Sequence, residues 1–124
     1  MLRSVVADAG GVLVFSGALE GHAPAGVEVL ALDWTAMTVG RFLALRHDGN
    51  AARMRVELGI ALSAVDEWFP VRTLVADTME RAGAKAVDAL DSWSALLLAE
   101  QLDLPLLTAS DEVSSARVEI YRPW

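Results

Sequence analysis

Residues 87–111, VDALDSWSALLLAEQLDLPLLTASD, decide the fold. Apolar side chains recur at helical spacing at Leu90, Trp93, Leu97 and Ala99, Asp88 stands where an N-cap belongs, and Glu100 and Gln101 point to solvent before the register ends at Leu102. Pro105 cannot continue that helix, because it lacks the N–H and crowds the preceding turn. Residues 104–107 form a short unbroken apolar run, the pattern of a strand buried on both faces of a parallel sheet. Residues 108–112 (TASDE) are then a polar exit at its carboxyl end, the edge of an open α/β sheet where ligands bind.

Working outward, RSVVA (3–7) is a β-branched run closed by Asp8, Ala9, Gly10 and Gly11. It predicts a first, central strand with Asp8 at its carboxyl end, the glycine pair allowing a sharp turn into a helix over VLVFSGAL. GHAPAG (21–26) is a loop, and its His22 is given no role. DWTAMTVGRFLALRH (33–47) predicts a helix capped by Asp33, with Arg46 and His47 suiting the dipole of its last turn. After the turn Asp48-Gly49-Asn50, AARMRVELGIALS (51–63) predicts another helix; its Arg53 and Arg55 are either phosphate contacts or simply solvated. Trp68, Phe69 and Val71 predict a second short strand, Thr73 a cap for the helix LVADTMERAGA that Gly83 ends, and RVEIY (117–121) an edge strand. Strands alternating with helical crossovers give a parallel sheet flanked by helices, in a single domain over residues 1–124.

Composition limits the chemistry. With no cysteine there are no disulfides and no thiolate metal sites, and only His22 and His47 offer imidazole, so any metal would be held by oxygen. A formal charge of −7, with ten Lys and Arg, opposes generic adhesion to nucleic acid; a nuclease would need its basic residues gathered on one face. The chain is 54% hydrophobic, with a mean hydropathy of +0.39, which favours a core covered on both sides and an oligomer interface. No apolar run reaches the roughly 20 residues that span a bilayer. Asp8 interrupts the first apolar segment, which argues against a secretory signal and makes the cytoplasm the expected location.

The segment LLLAEQLDLPLLTAS resembles the C-terminal half of PIN domains, the metal-dependent nuclease fold that includes the VapC-type toxins, whose pattern there is close to DAxxxALAexLgxPLLTaD. The opening strand is similar to the family's VVDAS, and the order of elements agrees along the chain. The resemblance implies a three-layer α/β/α sandwich with a short, mainly parallel sheet. It also implies a cage of carboxylates holding Mg²⁺ or Mn²⁺, which would generate a hydroxide for RNA cleavage. Asp8 falls on the family's first metal-binding Asp, whereas the other acidic positions fall on Thr38, Ser92 and Ser110. Hydroxyls can supplement Mg²⁺ ligation but cannot replace three charges.

Asp91 and Asp111 each stand one residue from a substituted position. On a helix one residue is a rotation of about 100°, which turns Asp91 away from the place of Ser92, whereas a loop absorbs the slip at Asp111 more easily. Three functions follow from the resemblance. The first is a PIN-like protein of toxin–antitoxin or RNA-processing type with a largely lost metal site, acting by binding an antitoxin-like protein or RNA. The second is a Mg²⁺- or Mn²⁺-dependent endoribonuclease with a rearranged site of Asp8, Asp91 and Asp111. The third is a non-catalytic structural homodimer.

Overall fold

In the computed structural model, which describes residues 3–123, the chain runs β1 (Ser4–Ala7), α1 (Ala9–Phe15), β2 (Glu28–Leu32), α2 (Thr35–Arg46), α3 (Ala51–Ser63) and β3 (Glu67–Phe69). A 3-10 turn (Val71–Leu74) leads into α4 (Val75–Ala82), α5 (Val87–Leu102), β4 (Leu106–Leu107) and β5 (Ile120–Tyr121). The five strands make one all-parallel sheet in the order β3-β2-β1-β4-β5. β1 is its centre, as the opening β-branched run predicts.

The pleat sends alternate residues to two cores. Val5, Ala7, Val29, Ala31 and Leu107 meet α1, α2 and α3 on one face, while Val6, Leu30, Leu32 and Leu106 meet Ala95, Leu96, Leu98 and Ala99 of α5 on the other. Helices on both faces of a parallel sheet give the three-layer α/β/α sandwich that the sequence predicts. No helix among the described residues is long and apolar enough to cross a membrane.

Several local outcomes differ from the sequence expectations. Glu100 is buried, not turned to solvent, and Thr73 lies in the 3-10 turn and does not cap α4. β2 lies in VEVLAL, an apolar run bounded by Gly26 and Asp33 and not predicted as a strand, and it supplies the neighbour on one side of β1. The first helix starts earlier and stops at Phe15, with Gly17 in the left-handed region at φ 82°. Helix caps also differ: neither Asp33 nor Asp88 caps its helix, since Asp33 Oδ1 instead accepts from the Val71 N–H (3.1 Å) and Asp88 lies inside the first turn of α5.

The glycine pair serves packing more than turning, because neither Gly10 nor Gly11 has a positive φ. A Cβ on Gly11 would stand 2.5 Å from the Leu107 carbonyl oxygen and 3.0 Å from the Ala7 Cβ, and one on Gly10 would stand 2.6 Å from the Ala109 Cβ. Helix α1 therefore lies directly on the carboxyl ends of β1 and β4. On the far face, the Arg81 guanidinium grips the buried Glu100 carboxylate with two hydrogen bonds (2.5 and 3.1 Å) and fastens α4 to α5.

Gly11→Ala is expected to cost about 2 kcal/mol or more and to lower Tm by several degrees, because backbone on both sides of the new methyl must move. Gly59→Ala, where a Cβ on α3 meets nothing within 4 Å, should instead stabilise by about 0.5–1 kcal/mol through helix propensity. Thermal denaturation of the two variants beside the wild type checks the contrast; equal shifts would contradict the packing role of Gly11.

Candidate functional site

The register of β1 on β4, Ala7 opposite Leu107, places Asp8 beside Thr108 at the carboxyl edge of the sheet. Asp8 is also the N-cap of α1, its Oδ1 accepting from the Gly11 N–H at 2.9 Å. Its Oδ2 accepts from the Ser92 hydroxyl of α5 at 2.7 Å and from the Thr108 hydroxyl, and the Ala109 N–H adds a further donor to the carboxylate. Thr108 is held in place in turn, its Oγ1 accepting from the Ser110 N–H at 3.0 Å.

Asp91, one residue before Ser92 on α5, is turned to different partners. Its Oδ2 accepts from the Ala9 N–H at 2.8 Å and its Oδ1 from the Thr35 hydroxyl, at the start of α2, at 2.7 Å. Both carboxylates are buried, Asp8 with 2% and Asp91 with 1% of its surface exposed. Burial pushes the Asp8 carboxyl above its ordinary value, against the pull of the hydrogen bonds from Thr108, Ser92, Gly11 and Ala109. Burial, followed by the nearby Asp8 charge, pushes Asp91 up to about 7, against the hydrogen bonds from Thr35 and Ala9.

A cavity of about 360 Å³ opens above this network. Leu13, Leu19, Phe42 and Leu45 give it apolar walls, and Arg41, Asp88 and Glu112 bring the charges. Arg41 and Asp88 stand 3.8 Å apart, and Glu112 is paired with Lys85 at 2.6 Å.

Of the residues singled out from the sequence, Asp8, Thr38, Asp91, Ser92 and Ser110 all line this cavity. Asp111 does not: its side chain is 96% exposed and lies 3.8 Å from Arg122, outside the cavity lining. The loop does not absorb the one-residue slip, because Thr108 and Ser110 fix its first turn through the Ser110 N–H to Thr108 and the Glu112 N–H to the Ser110 hydroxyl (3.1 Å). Thr35, Thr108, Arg41 and Glu112 went unassigned in the sequence. Only Thr108 had a legible signal there, since it follows β4 as Asp8 follows β1.

These donors do not fit a Mg²⁺ or Mn²⁺ ion of the kind the resemblance implies. Such an ion needs several carboxylate oxygens converging with free lone pairs. Among the described residues no three His, Cys, Asp or Glu side chains are grouped to hold one. The oxygens of Asp8 and Asp91 instead receive hydroxyl and amide protons, so a cation would have to displace Ser92, Thr108 or Thr35 as well as its own water. What the arrangement does chemically is hold two carboxyl groups in a dry, donor-rich floor beneath a largely apolar cleft. Searches against protein-family models, curated proteins and solved structures found no match to the chain.

The buried pair makes stability depend on pH. In the unfolded chain the Asp91 carboxyl loses its proton near its ordinary value of 3.8, and in the fold at about 7. The native state thus holds an extra proton between those values, so stability falls as pH rises through the window and levels off above it, by a total on the order of a few kcal/mol. Glu100, held below its ordinary 4.5 chiefly by Arg81, acts in the opposite sense but only in more acid solution. Thermal melts from pH 5 to 8 should therefore show a falling Tm for the wild type. Asp91→Asn, whose amide can serve both Ala9 and Thr35, should reduce the slope and leave only what the raised Asp8 carboxyl contributes; an undiminished slope would assign it to other groups.

Proposed function

We propose that this chain is a PIN-like domain of toxin–antitoxin or RNA-processing type that works by binding a partner, a protein or an RNA, and not by cutting RNA. The supporting observation is the state of Asp8. In a metal-dependent nuclease that carboxylate would face an ion, whereas here Ser92 and Thr108 turn their hydroxyl protons onto it from two sides. Thr38 and Ser110 line the same cavity as uncharged groups. The place of a cation is taken by protons that the chain itself supplies, and Asp91 is spent on joining α5 to α1 and α2.

A nuclease built from Asp8, Asp91 and Asp111 requires Asp111 to leave Arg122 and cross the Ser110 turn, and nothing in the geometry favours that movement. What remains at the sheet edge is a cleft of a size that suits a side chain or a small group of a partner.

Mn²⁺ titration by calorimetry tests the reading. The wild type should give no binding heat up to about millimolar metal, weaker by far than a site with several carboxylates. The triple variant Thr38→Glu/Ser92→Asp/Ser110→Asp, which places three carboxylates around Asp8 in the same cavity, should bind Mn²⁺ and so serve as the positive control. Micromolar binding by the wild type that disappears in Asp8→Ala would overturn the proposal and restore the nuclease.

A further inference from the structure

Helix α3 has eight apolar side chains among its 13 residues, yet Ala61 alone is buried. One flank, with Met54 and Leu58, leans on the core. The opposite flank carries Ala52, Val56 and Ile60 at spacings of four, and Val56 and Ile60 are 64% and 54% exposed. This row floors an open groove of about 770 Å³, completed by Gly17 and Ala18 after α1 and by the C-terminal end of α2.

The charge around the groove is opposite to that of the chain. Residues 46–63 hold three of the ten basic residues, Arg46, Arg53 and Arg55, against two acids, Asp48 and Glu57, whereas Arg41 lines the cavity above Asp8 and pairs with Asp88. Arg46 and Arg53 line the groove itself. Its one acid, Glu57, is already engaged, with Arg53 Nε at 3.3 Å and His47 Nε2 at 2.5 Å, the latter out of line for a hydrogen bond. Arg53 nevertheless leaves 68% of its side chain in solvent.

We infer that this groove docks an acidic amphipathic helix of a partner protein. This deepens the binding function proposed above and rests on it for the existence of a partner. An apolar row two turns long, about 12 Å at the helical rise, is the floor that a helix with apolar anchors at i, i+3 or i+4 and i+7 lies in. Guanidinium groups along the wall select carboxylates on that helix's flanks. A second copy of this chain is the poorer occupant, since a two-fold pairing brings the groove with Arg46 and Arg53 against an identical groove and offers it no surplus of carboxylates. RNA is poorer too, because no Phe, Tyr or Trp lines the groove to stack a base, its one ring, His47, lies against Glu57, and its floor is aliphatic.

The probe is a synthetic 14-residue helical peptide with leucines at i, i+3, i+4 and i+7 and glutamates on the flanks. Its partners in the experiment are the same peptide with lysines for glutamates, a single-stranded oligouridylate, and the protein alone in sedimentation. By fluorescence anisotropy the glutamate peptide should bind the wild type with Kd below about 100 μM and weaken as salt rises. Binding should drop about tenfold for Arg53→Gln and again for Val56→Ser/Ile60→Ser, with unchanged circular dichroism showing that both variants fold. Equal binding of the lysine peptide, no binding of either peptide, or no effect of the substitutions would overturn the inference. So would oligouridylate binding lost in Arg53→Gln, or a dimer dispersed by Val56→Ser/Ile60→Ser. Loss of the peptide result without Mn²⁺ binding removes the groove alone, whereas Mn²⁺ binding by the wild type removes the non-nucleolytic reading and leaves the peptide result standing.

Discussion

Two carboxyl groups buried side by side are the constraint around which the carboxyl edge of this sheet is arranged. An isolated ionised carboxylate in an apolar interior is costly by many kcal/mol, and two such groups repel as well. The chain offsets that cost with donors from every element that reaches the edge: the amides of Ala9 and Gly11 from α1, the Ser92 hydroxyl from α5, Thr108 after β4 and Thr35 at the start of α2. Four elements are thereby tied through two side chains. The rise of the Asp91 carboxyl to about 7, caused first by burial and then by the Asp8 charge, is the part of that cost that the donors leave unrelieved.

Much of the architecture is legible in the residues because it follows from period and punctuation. AARMRVELGIALS is a helix over its whole predicted length, and Gly83 ends α4 in the left-handed region at φ 77°. Residues 104–107 are identifiable as a strand because an apolar run after a proline has few other uses, although only Leu106–Leu107 pair in the sheet. β2 went unpredicted although it is the longest strand; the apolar run of VEVLAL between Gly26 and Asp33 carries the same signal as residues 104–107. The caps are harder to read. Asp33 and Asp88 look like N-caps in sequence, but tertiary partners claim them: Val71 for Asp33 and Arg41 for Asp88.

The site divides in the same way. Of the residues that line the cavity, Asp8 was identifiable as a strand end at a parallel sheet's carboxyl edge, while Thr38, Ser92 and Ser110, with Asp91 beside Ser92, were singled out only through the family resemblance. Which way each points was not. Helical rotation separates Asp91 from Ser92 by about 100°, and only the position of α1 and α2 decides that Asp91 meets Ala9 and Thr35 while Ser92 meets Asp8. Asp111 fails to join them because the Thr108 and Ser110 hydroxyls, accepting from the N–H groups of Ser110 and Glu112, pin the two turns around it.

Hydroxyl groups at an acidic centre change what that centre can do. A carboxylate cage is an unsatisfied charge that waits for a cation, and it weakens the fold until one arrives; here the Ser92 and Thr108 hydroxyls satisfy Asp8 from within. On the reading proposed above, the fold would gain independence from metal and lose the means of activating water. The features then left to act on other molecules would be the apolar cleft above Asp8 and the half-bare face of α3 with Arg53. An acidic protein whose ten basic residues are dispersed, with only Arg46 and Arg53 lining the aliphatic groove of α3, is poorly suited to general adhesion to RNA. It is well suited to discriminate among protein partners by the sign of their charge.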